Sequence, residues 1–213
     1  MGTIQKGILG GFSGKVGTVV GANWRGQDVM RSLPKKSDRA ATEEQLIIRE
    51  RFKLVTRFLA PIRPILALYF GQPQGYKSRR NLATSYHLTD AVIGVMPNLT
   101  IDYPKVIITK GELLLGENLA ATAGANARIE VSWQDNSGEG LAKADDQLLA
   151  VVYNPDRDRF HTLMAGAARD EGTFRLELPP TWAAETVHCW LSFASAEGKK
   201  VANSMYMGEL NLP

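Results

Sequence analysis

The sequence is poor in cysteine, with Cys189 the single one among 213 residues. One cysteine cannot form an intramolecular disulfide. Cys189 lies in an apolar run, so we expect it to be a buried structural thiol. Long hydrophobic runs are also lacking: no stretch approaches the ~18 uninterrupted apolar residues of a membrane span. Arg63 and two prolines interrupt the longest candidate.

The first residues lack the features of a classical secretory signal. Lys6 and Lys15 interrupt the apolar positions, and glycine stands where a signal-peptide core would have leucine or alanine. We therefore expect a protein that is cytoplasmic or is exported by a non-classical route.

Residues with catalytic or metal-binding chemistry are sparse. The three histidines, His87, His161 and His188, are far apart and have no Cys or His partner at ligand spacing, whereas a zinc site needs at least three converging ligands. We predict ordinary surface or edge histidines, no catalytic residues, no metal and no cofactor. The loop carboxylate pairs Asp145-Asp146 and Asp156-Asp158 indicate solvated turns, with a weak calcium site as the alternative.

Glycine, by contrast, is concentrated at the start of the chain, where residues 1–26 hold eight of the 20 glycines. A glycine inside a strand or helix costs about 0.5–1 kcal/mol relative to alanine, so we expect these glycines to serve close backbone approach or special dihedrals. A phosphate loop is excluded, because Leu9 stands at its first glycine position and Val16 replaces its metal-binding hydroxyl. The glycines favour packing against another backbone.

Residues 15–25 alternate in a strand pattern, with the side chains of Val16, Thr18, Val20, Ala22 and Trp24 on one side. The other side carries glycines and is nearly bare. Arg25-Gly26-Gln27 predicts a turn into a second strand at 28–33. The pattern predicts a β-hairpin with one nearly bare face.

Three helices are predicted next. Thr42 and Gln45 have the spacing of a capping box, which predicts a helix start. An apolar stripe at helical spacing follows, made of Ile48, Phe52, Val55, Leu59 and Ile62. Proline can occupy the first helical turn, which indicates a shorter helix at 64–70, and a third is predicted at 78–93.

Beyond Pro97 the pattern is one of short strands between turns, predicted at 106–110, 113–115, 127–133, 147–153, 160–164, 173–178, 186–193 and 201–207. This number of strands in about 110 residues is typical of an antiparallel immunoglobulin- or fibronectin-like β-sandwich. Alternation predicts two core rows, formed by Ile129, Val131 and Trp133 and by Val187, Cys189, Leu191 and Phe193. The fold class is α+β, with a hairpin and helical region at 1–98 and a sandwich domain at 99–213.

Five parts of the sequence together carry a family resemblance: Gly7-Ile8-Leu9-Gly10-Gly11-Phe12-Ser13-Gly14-Lys15-Val16-Gly17, Trp24-Arg25-Gly26, Arg31, Ala83-Thr84-Ser85-Tyr86 and Ser204-Met205-Tyr206. With them the sequence resembles a family of unknown function common in Bacteroidota, number 6266 in the series of domains of unknown function. The resemblance covers the whole chain and is most specific in its glycine-rich opening. The family implies no activity, cofactor or catalytic residue.

Charge is unevenly distributed. Residues 1–100 hold 15 Lys and Arg against 6 Asp and Glu, whereas residues 101–213 hold 10 against 16. The halves should attract each other, within one chain or between neighbouring copies. The basic residues, with Tyr76 beside them, also permit phosphate contacts. Nucleic-acid binding is the weaker interpretation, because the C-terminal half is acidic and the net charge is only +3.

These observations favour a structural, self-assembling protein without catalytic activity, the subunit of a filament, tube or similar homopolymer. The alternative is a binding module that recognises a protein, glycan or surface through the sandwich, with exposed Trp182 or Trp190 as anchors. The predicted assembly or partner interface comprises Gly10, Gly11, Phe12, Gly14, Lys15, Gly17, Gly21, Trp24, Arg25, Arg31, Lys35, Lys36, Arg79 and Arg80.

Overall fold

A computed structural model describes residues 3–4, 10–24, 26–35 and 40–213 of the chain. The chain forms two compact units, Met1–Glu43 and Glu44–Pro213. The boundary between them lies earlier than the division near residue 100 that the change to a strand pattern beyond Pro97 predicts. The reason is that the helices share a hydrophobic core with the sandwich and so belong to the same unit.

The first unit contains an antiparallel sheet with the strand order β1-β2-β3-β4. Its strands are β1 (Thr3–Ile4), β2 (Phe12–Val16), β3 (Val19–Trp24) and β4 (Gln27–Ser32). Strands β3 and β4 are the predicted hairpin.

The single strand predicted over 15–25 is wrong, because a turn at Gly17 and Thr18 divides it. Gly17 has a φ of 59°, a left-handed conformation that glycine adopts at no steric cost. Val16 consequently lies opposite Val19. The turn changes which residues share a face, so neither face of the sheet is bare.

The second unit begins with helices α1 (Glu43–Leu59), α2 (Arg63–Tyr69) and α3 (Arg79–Asp90), at the three predicted places. The backbone N–H of Asn81 donates to Ser78 Oγ at 3.3 Å, which caps α3. This helix ends before the predicted residue 93, because β5 (Val92–Ile93) turns away to pair with β6 (Thr100–Ile101).

Seven further strands form a two-sheet antiparallel sandwich of the immunoglobulin/fibronectin type. One sheet has the order β11-β8-β7 and the other β10-β9-β12-β13. The strands are β7 (Glu117–Gly124), β8 (Arg128–Gln134), β9 (Gln147–Asn154), β10 (Arg159–Leu163), β11 (Thr173–Glu177), β12 (Thr186–Ala194) and β13 (Met205–Asn211).

Six of the predicted strands correspond to β8 to β13, and two do not form regular strands. The segments 106–110 and 113–115 make only isolated bridges, from Lys110 to Phe70 and from Leu113 to Ala202. Strand β7 was not predicted. Its sequence, ENLAATAG, is rich in alanine, a residue depleted in strands.

The four-stranded sheet is buried on both faces. One face packs against the three-stranded sheet in a core that includes both predicted rows. The other face contributes Leu149, Val151 and Trp190 to a second core with the helical residues Val55 and Leu59. The second unit is therefore three layers: helices, a four-stranded sheet and a three-stranded sheet.

Candidate interaction surfaces

The sheet of the first unit is a single layer with apolar side chains on both faces. The strand registers place Val16, Val19 and Met30 on one face, and Val20 and Val29 on the other. Val16 is 54% exposed and Met30 67% exposed. Among residues 10–24 and 26–35, only Gly21 is buried. Within the described part of this unit, the sheet has no second layer to cover either face.

Gly21 shows what one of the clustered glycines does. A Cβ atom at this position would lie 2.7 Å from Cδ2 of Phe12 and would also clash with the Phe12 carbonyl oxygen. The ring of Phe12 therefore packs over Gly21, in the place where a side chain would stand. At this position the close approach predicted from glycine is made inside the sheet, by the neighbouring strand β2.

Strand β4 forms one edge of this sheet, and all six of its residues are exposed. An edge strand presents a row of unpaired N–H and C=O groups that can template pairing with another chain. Its side chains are mixed, with Asp28 and Arg31 among apolar and small polar residues. Among the described residues of the first unit, no further strand pairs with this edge, and β4 contains no proline.

The predicted interface residues divide between the two units. Residues 10–17, 21 and 24 of the set lie in or beside β2 and β3, Arg31 lies in β4, and Lys35 follows it. Lys15, Gly17, Trp24, Arg31 and Lys35 are exposed, whereas Gly10, Gly11, Phe12 and Gly14 are half-buried. Arg25, Lys36 and the flanking Lys6, Gly7 and Arg39 lie outside the described residues.

Arg79 and Arg80 lie in the first turn of α3, in the second unit. Arg79 Nε donates to the Gly71 carbonyl at 2.9 Å, and Arg79 Nη2 donates to Gln72 Oε1 at 3.3 Å. These bonds fix the guanidinium against the turn that follows α2. Arg80 is exposed.

The tryptophans proposed as binding anchors are not on the surface. Trp182 and Trp190 are both buried, so this prediction is wrong. Trp190 lies on the sheet face that the helices cover, and Trp182 packs into the core between the two sheets. Both side chains contribute to stability and not to a partner surface.

Two of the three histidines are also buried, contrary to the prediction. His87 Nδ1 lies 2.7 Å from the Ala83 carbonyl oxygen, and its burial lowers its pKa. The His188 ring stacks on Tyr103 with ring centroids 3.9 Å apart, and its Nδ1 lies 2.8 Å from Tyr206 Oη. Burial lowers the pKa of His188 as well. Both rings are packed as core groups.

One carboxylate of each loop pair, Asp146 and Asp158, has structural partners. Asp146 is fully buried, and its Oδ2 accepts from Arg169 Nε at 3.1 Å. Asp158 accepts from Tyr153 Oη at 3.0 Å and pairs with Arg57 of α1 at 2.6 Å. The expectation of solvated turns therefore fails at Asp146, whose charge is balanced by an equally buried arginine.

Cys189 is buried as predicted. Desolvation raises the pKa of its thiol to about 12, which leaves it protonated and inert at neutral pH. Across the described residues, no group of three or more His, Cys, Asp or Glu side chains is placed to hold a metal ion. None of the described helices combines the length and apolar character needed to cross a membrane.

Comparison with family models places the chain in a family of unknown function (DUF6266), whose model matches residues 11–208. The chain belongs to this family. A search of curated proteins found no match.

Solved structures similar to the chain include fibronectin type III domains. The fn3 domain of human collagen alpha-1(XX) chain is 15% identical, with a TM-score of 0.34, over 47% of this chain and 87% of that domain. The FN1-FN3 domains of chicken CNTN1 are 10% identical, with a TM-score of 0.34, over 49% of this chain and 33% of that fragment.

Proposed function

We propose that this family member is a self-associating structural protein without catalytic activity, the subunit of a filament, tube or similar homopolymer. The observation that supports the proposal best is the sheet of the first unit, which is a single layer in the part of this unit that the structure describes. A sheet with a hydrophobic face is stable when that face is buried against another element. Here apolar side chains lie on both faces and β4 is an open edge.

Association with a second copy through β4 satisfies these requirements. Addition of a strand to an exposed sheet edge obtains its affinity from main-chain hydrogen bonds. An antiparallel pair of β4 strands centred on Val29 sets Val29 against the same residue of the second copy. The same register sets Gln27 against Arg31. The two sheets become one larger sheet, and the apolar rows on each face become continuous.

A β4 pair related by a two-fold axis closes at a dimer, so growth into a polymer needs a second contact. The first unit, residues 1–43, holds 7 Lys and Arg against 3 Asp and Glu, whereas residues 44–213 hold 18 against 19. Attraction between the positive first unit of one copy and acidic residues on the second unit of another copy supplies this contact. Such a contact joins different surfaces of the two copies, and head-to-tail contacts of this kind generate rings or open filaments. Because the second contact is electrostatic, we expect assembly to weaken at high salt, while the β4 pair persists.

The central position of β4 offers a direct test. A Val29→Lys variant places two like charges opposite each other, which destabilises a cross-strand pair, and a Val29→Glu variant does the same. Each variant alone should be monomeric by sedimentation velocity. An equimolar mixture of the two should recover the dimer, because Lys then faces Glu.

Thr162→Lys is the matched control, since Thr162 is an exposed residue of β10, an edge strand of the sandwich. It should associate like the wild type. A wild-type protein that stays monomeric at low and high salt, even when concentrated, contradicts self-association. Dimers of Val29→Lys equal to those of the wild type contradict the assignment to β4.

A further inference from the structure

We infer that the second unit carries a binding site for a compact oxyanion group, a phosphate or a carboxylate, in a basic cavity at the N-terminus of α3. The cavity has a volume of about 260 Å³. We call it the basic cavity; its charged lining residues are Arg79, Lys110, Glu112, Lys199 and Lys200. This site is independent of the proposed self-association, because β4 contributes nothing to it.

The positive charges of the basic cavity come from three separate segments. Arg79 begins α3, Lys110 lies in the segment that follows β6, and Lys199 and Lys200 lie in the turn after β12. Isolated bridges hold these segments together: residue 110 pairs with Phe70, and Leu113 pairs with Ala202, which follows the turn that contains the two lysines. Four cationic side chains and one acidic side chain line the basic cavity, so its net charge is positive. A concave surface concentrates the resulting positive potential.

Arg79 is the most ordered of these cations. Its bonds to Gly71 and Gln72 hold the guanidinium plane and use two of its five N–H donors. A fixed guanidinium recognises the two oxygens of a carboxylate or phosphate with little loss of side-chain entropy. Lys199 also pairs with Glu197 at 3.0 Å. It therefore adds less positive potential to the basic cavity than Lys110 and Lys200 do.

Neutral polar groups complete the lining. Gln72 and Asn203 present amides, and the Asn203 side-chain oxygen accepts from the Gly111 backbone N–H at 3.1 Å. That bond orients the Asn203 amide so that its NH₂ group is available as a donor. The volume of about 260 Å³ accommodates a single phosphate or carboxylate group.

Isothermal titration calorimetry of the full chain at low ionic strength tests the inference, with inorganic phosphate and succinate as separate probes. We expect saturable binding of at least one probe. The probe that binds more tightly shows whether the site prefers a phosphate or a carboxylate. Because the lysines are exposed, the affinity should fall severalfold on addition of 0.15 M sodium chloride.

The variant Lys110→Gln combined with Lys200→Gln should weaken binding about tenfold, as two exposed charges are lost. The matched control is Lys77→Gln combined with Arg80→Gln, which removes two exposed charges near the N-terminus of α3 but outside the lining. Binding by neither probe overturns the inference. Equal weakening in the two double variants also overturns it, because the effect then reports net charge and not the basic cavity.

Discussion

At the scale of single residues, the buried Arg169–Asp146 pair has a large predicted effect on stability. Arg169 also donates to Asn136 Oδ1 at 2.7 Å, and its guanidinium lies 4.4 Å from the centre of the Phe193 ring. Both charged side chains are fully buried. Removal of one partner leaves an uncompensated charge in the core, and such changes cost about 3–5 kcal/mol.

We therefore predict that Arg169→Met lowers the free energy of unfolding by about 3–5 kcal/mol in urea denaturation. The control is Arg175→Met, because Arg175 pairs with Glu130 at 3.1 Å on the surface. That change should cost about 0–1 kcal/mol. Similar losses in the two variants would show that burial of the first pair does not matter. The sequence could not reveal this pair, since 23 residues separate its members.

At the scale of elements, the packing of α1 on the sandwich decides the architecture of the second unit. Phe58 is 5% exposed, and its ring makes edge contacts with Tyr153 and Phe160, each with centroids 5.2 Å apart. Phe52 lies earlier on the same helix and is 51% exposed. The part of α1 around Phe58 therefore packs on the core, whereas the part around Phe52 extends past it.

Phe58→Ala should destabilise the second unit by about 3–5 kcal/mol, because a buried aromatic ring is replaced by a cavity. Phe52→Ala should change the free energy of unfolding by about 0.5 kcal/mol or less, as surface substitutions do. Thermal and urea denaturation of both variants checks the difference. If Phe52→Ala is the more damaging change, α1 does not pack on the sandwich as described.

The elements also show how far periodicity predicts the fold. Alternation correctly identified the inner rows of β8 and β12, but it treated His188 and Trp190 as facing outward. The second face of β12 is buried because helices distant in sequence cover it. A signal for this was present: residues 148–153 of β9 are apolar without interruption, which is typical of a strand that is buried on both faces.

At the scale of the whole molecule, the candidate sites were harder to predict than the fold. The glycine-rich opening and the basic residues near α3 are local in sequence, so both were identified. The surfaces that these residues form depend on turns and on contacts between segments that are distant in sequence. Gly17 redistributes the faces of the first sheet, and the basic cavity joins Arg79 to lysines 31 and more than 100 residues away.

The division into two units leads to a last prediction, that residues 44–213 fold without the first unit. Both hydrophobic cores are built from residues between Val55 and Leu212, so deletion of residues 1–43 removes no member of either core.

The truncated protein should keep its cooperative thermal transition, with a Tm within a few degrees of that of the full chain. It should also be monomeric by sedimentation velocity, because β4 is gone. If the truncated protein is unfolded, the first unit supplies packing that the second unit requires. If it is folded but still associates like the full chain, the sheet of the first unit is not the connector between copies.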